Sequence, residues 1–284
     1  KGRLSINDKT YQYIGEYNGI TNYLNLNELI IAQSSKYKKV NFKNTNFFYD
    51  ENITFEFDKK NLIFNIYQNK SNARAYFLGG NLKDIHVNLF NSDTNKYNNL
   101  SNYIFDKNGL TGCLSFIDMY LKNITINSYN SSCEDSINLI NTTGQINNIQ
   151  THNAKSDALD IDFSNIKIDQ IYINKAKNDC VDLSSGKYEF GELNLSECND
   201  KALSVGEKST VKLSNLLVLN STIGLSTKDS STISIDNLNI ENTKICFEAK
   251  RKKQEFLGGI INLSNYNCNG SPISIGLGSF VNYN

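Results

Sequence analysis

The sequence predicts an all-β chain: a right-handed parallel β-helix (solenoid) of about seven or eight coils across residues 111–284, behind an N-terminal cap and irregular early β coils across 1–110. Three observations predict it. From Asp157 onward, apolar pairs recur in steps of 22 residues, with row starts DALDIDFS, DCVDLSSG, KALSVGEK, IGLSTKDS and ICFEAKRK. Within each row the apolar residues alternate at the period of two that marks a strand with one buried face. Between the strands lie Asn, Ser, Gly and Asp turns, with no helical segment to carry a crossover between parallel strands. Stacked coils satisfy all three, because each coil covers the next and parallel strands lie about 4.8 Å apart along one axis. A sandwich or barrel would form antiparallel hairpins without same-position similarity, and a leucine-rich repeat would show a recurring Asn or Cys in a leucine consensus.

Taken in chain order, LNLNELIIAQSS (24–35) reads as a short helix with Leu26, Leu29 and Ile30 on one side. VNFKNTNFFYD (40–50) and ITFEFDKKNLIFNIYQN (53–69) read as strands. An open solenoid end would leave strand edges and apolar interior unprotected, so this region is expected to cap the coils. The inward pairs then run Leu114/Phe116, Ile137/Leu139, Leu159/Ile161, Val181/Leu183, Leu203/Val205, Leu225/Thr227 and Phe247/Ala249, with Ile273/Ile275 as a last row. A second apolar group follows in most rows as two alternating pairs, such as Ile166, Ile168, Ile171, Ile173 and Val211, Leu213, Leu216, Val218.

Composition narrows the function classes. The 284 residues carry 29 basic and 29 acidic side chains, one Pro, no Trp, two His and 45 Asn. Zero net charge disfavours nucleic acid as a partner, since a nucleic-acid binder needs a basic excess to displace counterions. No apolar run approaches the roughly 18 residues of a membrane span. The chain starts at Lys1 without a visible signal peptide, so it is expected to be part of a larger protein. The single Pro272 suits a backbone whose N–H groups are nearly all needed between stacked strands.

The six cysteines fall into three near pairs, Cys113/Cys133, Cys180/Cys198 and Cys246/Cys268, each separated by almost one coil. Stacking brings such pairs within disulfide range if their Cβ vectors agree. Otherwise they are small buried residues at tight positions, and both readings stand at this level. An even cysteine count suits an exported protein, so an extracellular or cell-surface location is expected. Neither His86 nor His152 lies near a Cys cluster, and no zinc spacing is present.

Stacking also turns sequence columns into physical stripes. Two residues before the first inward position stand Asp135, Asp157, Asp179 and Lys201. Between the inward pair stand Asp160, Asp182, Ser204, Ser226 and Glu248. The next outward position holds Asp162, Ser184, Gly206, Lys228 and Lys250. The stripe thus passes from acidic to basic along the axis, with carboxyl groups on neighbouring coils roughly 5 Å apart. Like-charge neighbours at that distance raise at least one carboxyl pKa, as a general acid requires, or attract Ca²⁺, which takes oxygen ligands. Asp residues at strand starts also cap turns through side-chain to backbone bonds, and repeat duplication would copy them.

The coil pattern resembles the pectin-lyase-like superfamily over about two-thirds of the chain. At the polar stripe the segments KSDALDI (155–161), NDCV (178–181) and DKALSVG (200–206) are similar to the polygalacturonase signatures, with comparable one-coil spacing. The resemblance implies catalytic roles for Asp157 and Asp179. It departs at Asn178, where the first Asp of a pair would stand, at Lys201, where a His would stand, and in lacking the Arg-Ile-Lys that follows. Inverting hydrolysis needs acid and base carboxyl groups that admit a water, and Asp157 with Asp179, or Asp160 with Asp182, would form such a pair. A lyase or epimerase of acidic sugars would use Lys201 as base, although Asp179 and Asp200 favour its charged form and a uronate-binding role.

Two function classes result. One is binding or processing of an acidic polysaccharide by Asp157, Asp160, Asp179, Asp182 and Lys201, with Asp162, Ser204, Lys228, Glu248 and Lys250 contacting it. The other is a non-catalytic structural, adhesive or accessory β-helix of a larger surface protein. The run Lys250–Lys253 reads as a surface loop, with anionic glycan contact as the alternative. Tyr11, Tyr13, Tyr17 and Tyr23 would pack the cap or stack on sugars.

Overall fold

A computed structural model describes the backbone of residues 3–6, 9–17, 20–25, 37–91, 105–106, 108–268 and 271–283, with side chains from residue 37 onward. Strands β1 (Arg3–Ile6), β2 (Lys9–Tyr17) and β3 (Ile20–Asn25) form an antiparallel sheet of their own. The helix expected over 24–35 lies outside the described residues beyond Asn25, as do the side chains of the four N-terminal tyrosines.

Two antiparallel hairpins follow, β4 (Lys38–Phe42) with β5 (Asn44–Tyr49) and β6 (Ile53–Asp58) with β7 (Ile63–Gln68). Parallel pairing begins where β7 meets the long β8 (Ala75–Asn91). It continues through β9 (Gly112–Ile117), β10 (Tyr120–Tyr129), β11 (Asp135–Ile140), β12 (Thr143–Ala154), β13 (Asp157–Asp162), β14 (Asn165–Ala176) and β15 (Val181–Ser184). The last coils are drawn by β16 (Lys187–Gly206), β17 (Thr210–Lys228), β18 (Thr232–Lys250), β19 (Ile260–Cys268), β20 (Ser274–Ile275) and β21 (Phe280–Tyr283). The result is an all-β parallel solenoid of about nine turns. Among the described residues no helix is long and apolar enough to cross a membrane.

The register follows the 22-residue period through the middle coils, with steps of 23 from Phe116 to Leu139 and from Tyr188 to Val211 and of 28 from Ile233 to Ile261. Phe116, Leu139, Ile161, Leu183, Val205, Thr227 and Ala249 pair in succession and are buried, as are Ile166, Tyr188, Val211, Ile233 and Ile261 in a second column. Along β14 apolar side chains alternate inward and polar ones outward, whereas β9 and β11 are buried on both faces, and Asn138, Ser204, Ser226, Lys228 and Glu248 of the outward columns are buried too.

Some of the asparagines form corners and others stack between coils, as Asn65, Asn88 and Asn127 do. Asn130, Asn153, Lys175, Glu197, Asn220 and Asn242 each turn the chain in the left-handed region, with φ between 54° and 75°. Asn tolerates that conformation better than most residues and bonds its neighbours, as Asn153 Nδ2 does in donating to Asn130 Oδ1 at 2.8 Å. Gly144, at φ 112°, occupies an inward column where an added Cβ would strike the carbonyl oxygen of Leu121 one coil earlier.

All three cysteine pairs are disulfides, with Cα separations of 5.3, 5.5 and 5.8 Å. Each closes a loop of about one coil, which by chain entropy contributes about 3 kcal/mol. Replacing Cys180 and Cys198 together by Ala is therefore expected to lower unfolding free energy by about that much. The urea midpoint of the double variant measures it.

Candidate functional site

The polar stripe forms on the outward face of the short first strands, with the neighbours that the sequence columns predict. Asp135 pairs with Asp157; Asn138, Asp160, Asp182, Ser204, Ser226 and Glu248 follow one another; Ile140, Asp162 and Ser184 lie beside them. Lys228 and Lys250 pair at the far end.

The first column is built into the backbone. Asp157 Oδ1 accepts the N–H of Asp179 at 2.8 Å, and Asp179 Oδ1 accepts the N–H of Lys201 at 2.9 Å. Each carboxyl thus caps the start of the strand one coil on. The Lys201 ammonium closes the ladder, 3.4 Å from Asp179 Oδ1 and in contact with Asp200. Burial works against its charge, but the hydrogen bond to Asp200 and the charge of Asp179 prevail and hold its pKa above the ordinary lysine value. Lys201 is thus held as a cation.

The second and third columns have looser partners. Asp160 Oδ2 accepts from Asn138 Nδ2 at 2.9 Å, and Asp162 lies close enough to bond Asp160. Asp182 Oδ1 is buried with no hydrogen-bond partner; the Lys228 ammonium stands 3.8 Å away and donates instead to Ser204 Oγ at 2.7 Å. Farther along, Glu248 Oε1 accepts from Ser226 Oγ at 2.7 Å and pairs with Lys250 at 2.6 Å. The structure therefore brings together Asp160, Asp162, Asp182, Ser204 and Lys228. Glu248 and Lys250 form a separate pair, and Lys201 belongs to the capping ladder.

Burial and mutual repulsion keep protons on this face. Burial, then the charge of Asp179, pushes the Asp157 carboxyl up to about 8. Burial also lifts Asp135 to about 7 and Asp162 to about 6, the latter helped by Asp182. Asp160 rises well above the usual carboxylate range through burial and the charges of Asp135, Asp162 and Asp182. In mildly acidic solution the face thus holds neutral carboxylic acids, which donate hydrogen bonds, beside carboxylates and two lysines.

Among the described residues no group of three or more His, Cys, Asp or Glu side chains is arranged to hold a metal ion. Of the run Lys250–Lys253, Lys250 ends β18 and residues 251–253 form an exposed but tethered loop. The N–H groups of Lys252 and Lys253 donate to Asp229 Oδ1 at 2.7 and 2.8 Å, and the Lys253 ammonium pairs with Glu207 at 2.6 Å.

The face has participants beyond the predicted residues. Asn138 stands one 22-residue step before Asp160, and its position in that period is the signal that finds it. Buried Arg74, which donates to the carbonyls of Thr111 and Gly112, comes from the early coils and has no such signal. On another face, a groove of about 550 Å³ is lined by Asn194, Asn215, Asn237, Asn239, Asn265 and Asn267 with Leu217 and Tyr266. Tyr67, Phe90, Tyr129 and His152 stack ring on ring along the same side of the coils, 5.2–5.6 Å apart. Their faces cover one another, so this ladder reinforces the coils and leaves only ring edges outward.

No protein-family model, curated protein or solved structure matches the chain. The functional reading therefore rests on the geometry.

Proposed function

We propose that this protein is an extracellular or cell-surface β-helix of the pectin-lyase-like kind that binds an acidic polysaccharide along the polar stripe. One observation carries the reading: the proton-holding carboxyl groups of Asp160 and Asp162 adjoin Asp182, whose Oδ1 is buried without a hydrogen-bond partner, and the Lys228 cation. Packing a coil does not require this arrangement, since Asn or Ser at the same outward positions would avoid the desolvation cost. Protonated acids donate to uronate carboxylates and hydroxyls, and the Lys228 cation beside them offsets the polymer's charge.

Binding is favoured over cleavage by what Asp157 and Asp179 do. Each holds a backbone N–H of the next coil, which ties the first column to a structural role. The same two bonds support the alternative, a structural or adhesive β-helix with no glycan ligand.

Electrophoresis at pH 5 through gels containing polygalacturonate, alginate or a neutral glucan separates the readings. The protein should be retarded by the uronate polymers and not by the glucan, and Lys228→Gln should restore mobility. Incubation of wild type and Asp179→Asn with the same polymers should release no new reducing ends or unsaturated products from either. Equal mobility in all gels sinks the binding reading; products formed by wild type and lost in Asp179→Asn would establish an enzyme instead.

A further inference from the structure

One residue per coil turns the corner that follows the polar stripe. Asp118, Asn141, Phe163, Ser185 and Glu207 come directly after Ile117, Ile140, Asp162, Ser184 and Gly206, which pair in succession. All five lie in the left-handed region, with φ between 50° and 55°. Four are polar, and their bonds join neighbouring coils: Asn141 Nδ2 donates to Asp118 Oδ1 at 2.7 Å, and Ser185 Oγ donates to the Glu207 carbonyl at 3.0 Å. The corner also borders the stripe itself. A carboxylate oxygen of Glu207 accepts from Ser184 Oγ, and Ser184 pairs with Asp162.

Phe163 breaks that polar column. Among the described residues it is the only aromatic one in the left-handed region, and it is 64% exposed. The conformation suits Asn and Asp but strains a bulky side chain, and the exposed ring leaves apolar surface in water. Turning the coil does not call for a ring, since Asn141 and Ser185 make the same turn one coil to either side. Its place separates Phe163 from a scattered surface residue. It follows Asp162 at the stretch where the stripe reaches solvent: Asp160, Asp162 and Asp182 are partly exposed, whereas Asn138 before them and Ser204 and Ser226 after them are buried.

We propose that Phe163 is a stacking platform, on which the C–H face of one pyranose ring rests while the neighbouring carboxyl groups and the Lys228 cation engage the hydroxyls and carboxylate of that sugar. The inference deepens the glycan reading and rests on it. A pyranose ring suits both halves of this surface, because its C–H bonds gather on a face that an aromatic ring can cover and its polar groups project from the rim. A protein partner suits it less well. Protein-docking patches are contiguous and apolar, whereas the residues on either side of Phe163 along the corner are Asn141 and Ser185.

Titration of a galacturonate oligomer at pH 5 into wild type, Phe163→Asn, Phe163→Trp and Lys228→Gln is the test, followed by calorimetry and by proton NMR of the sugar. Phe163→Asn should weaken binding about fivefold to tenfold and Phe163→Trp should keep it. The sugar's C–H protons should shift upfield on wild type, as they do over the face of an aromatic ring, and not on Phe163→Asn. The urea midpoint of Phe163→Asn should equal or exceed that of wild type, because the substitution relieves strain. Equal affinity of wild type and Phe163→Asn, with Lys228→Gln weakened, would overturn the platform and leave the glycan reading standing. Absence of binding by wild type would overturn both. A lower midpoint for Phe163→Asn without the upfield shift would make Phe163 a packing residue and overturn the platform alone.

Discussion

Raising the pH from 5 to 8 is expected to lower the protein's melting temperature, and Asp157→Asn is expected to flatten that fall. The unfolded chain titrates its Asp residues near 3.8, whereas the folded chain holds protons on Asp162 until about pH 6, on Asp135 until about 7 and on Asp157 until about 8. Between those limits the folded state binds more protons than the unfolded state, so stability is lost as pH rises. It is fully present below the unfolded value and gone above the folded one. Each group contributes at most about 1.4 kcal/mol per pH unit while it titrates. Asp157→Asn keeps the oxygen that accepts the Asp179 N–H and removes the charge, so the variant should gain stability at pH 8 and little at pH 5. Calorimetry at pH 5, 6.5 and 8 measures both; a melting temperature that climbs toward pH 8 would refute the protonated stripe.

Phe77→Ala should cost about 3–5 kcal/mol, the usual penalty for emptying an aromatic site in a close-packed core. Phe77 is fully buried and its ring lies 4.7 Å from Phe47, 5.6 Å from Phe64 and 5.3 Å from Phe116. It thereby joins the antiparallel hairpins to the first parallel coils, sealing the apolar interior that the solenoid would otherwise open to water. Leu257→Ala, at a largely exposed position, should change stability by no more than about 0.5 kcal/mol. Urea unfolding of the two variants compares them, and equal midpoints would mean that the hairpins do not cap the core.

What the sequence made legible was periodic. Asp160, Asp182 and Ser204, or Leu159, Val181 and Leu203, line up because one coil consumes 22 residues and each strand repeats the alternation of the last. The same period placed the cysteine partners one coil apart, where all three disulfides form. Pairing direction was not legible in residues 38–68, because alternation reports which face is buried and is the same for hairpins and parallel coils. Nor does a column show which of its carboxyl groups a backbone N–H will occupy. Asp157 and Asp160 look alike in sequence, yet one caps the next coil and the other accepts a side-chain amide. Arg74 reaches the stripe from outside the regular repeat, where no period points to it.

Calorimetric titration with a defined galacturonate oligomer, at pH 5 and at pH 8, addresses the acidic stripe directly. Protonated Asp160 and Asp162 should admit the ligand at pH 5. Ionisation of Asp162, whose carboxyl is held up to about 6, should weaken it at least about tenfold by pH 8, or about 1.4 kcal/mol of binding free energy. Asp160→Asn with Asp162→Asn should bind alike at both values, and Lys228→Gln weakly at either. Absence of binding at pH 5, or an affinity that does not change with pH in the wild type, would contradict the assignment of this face to an acidic polysaccharide.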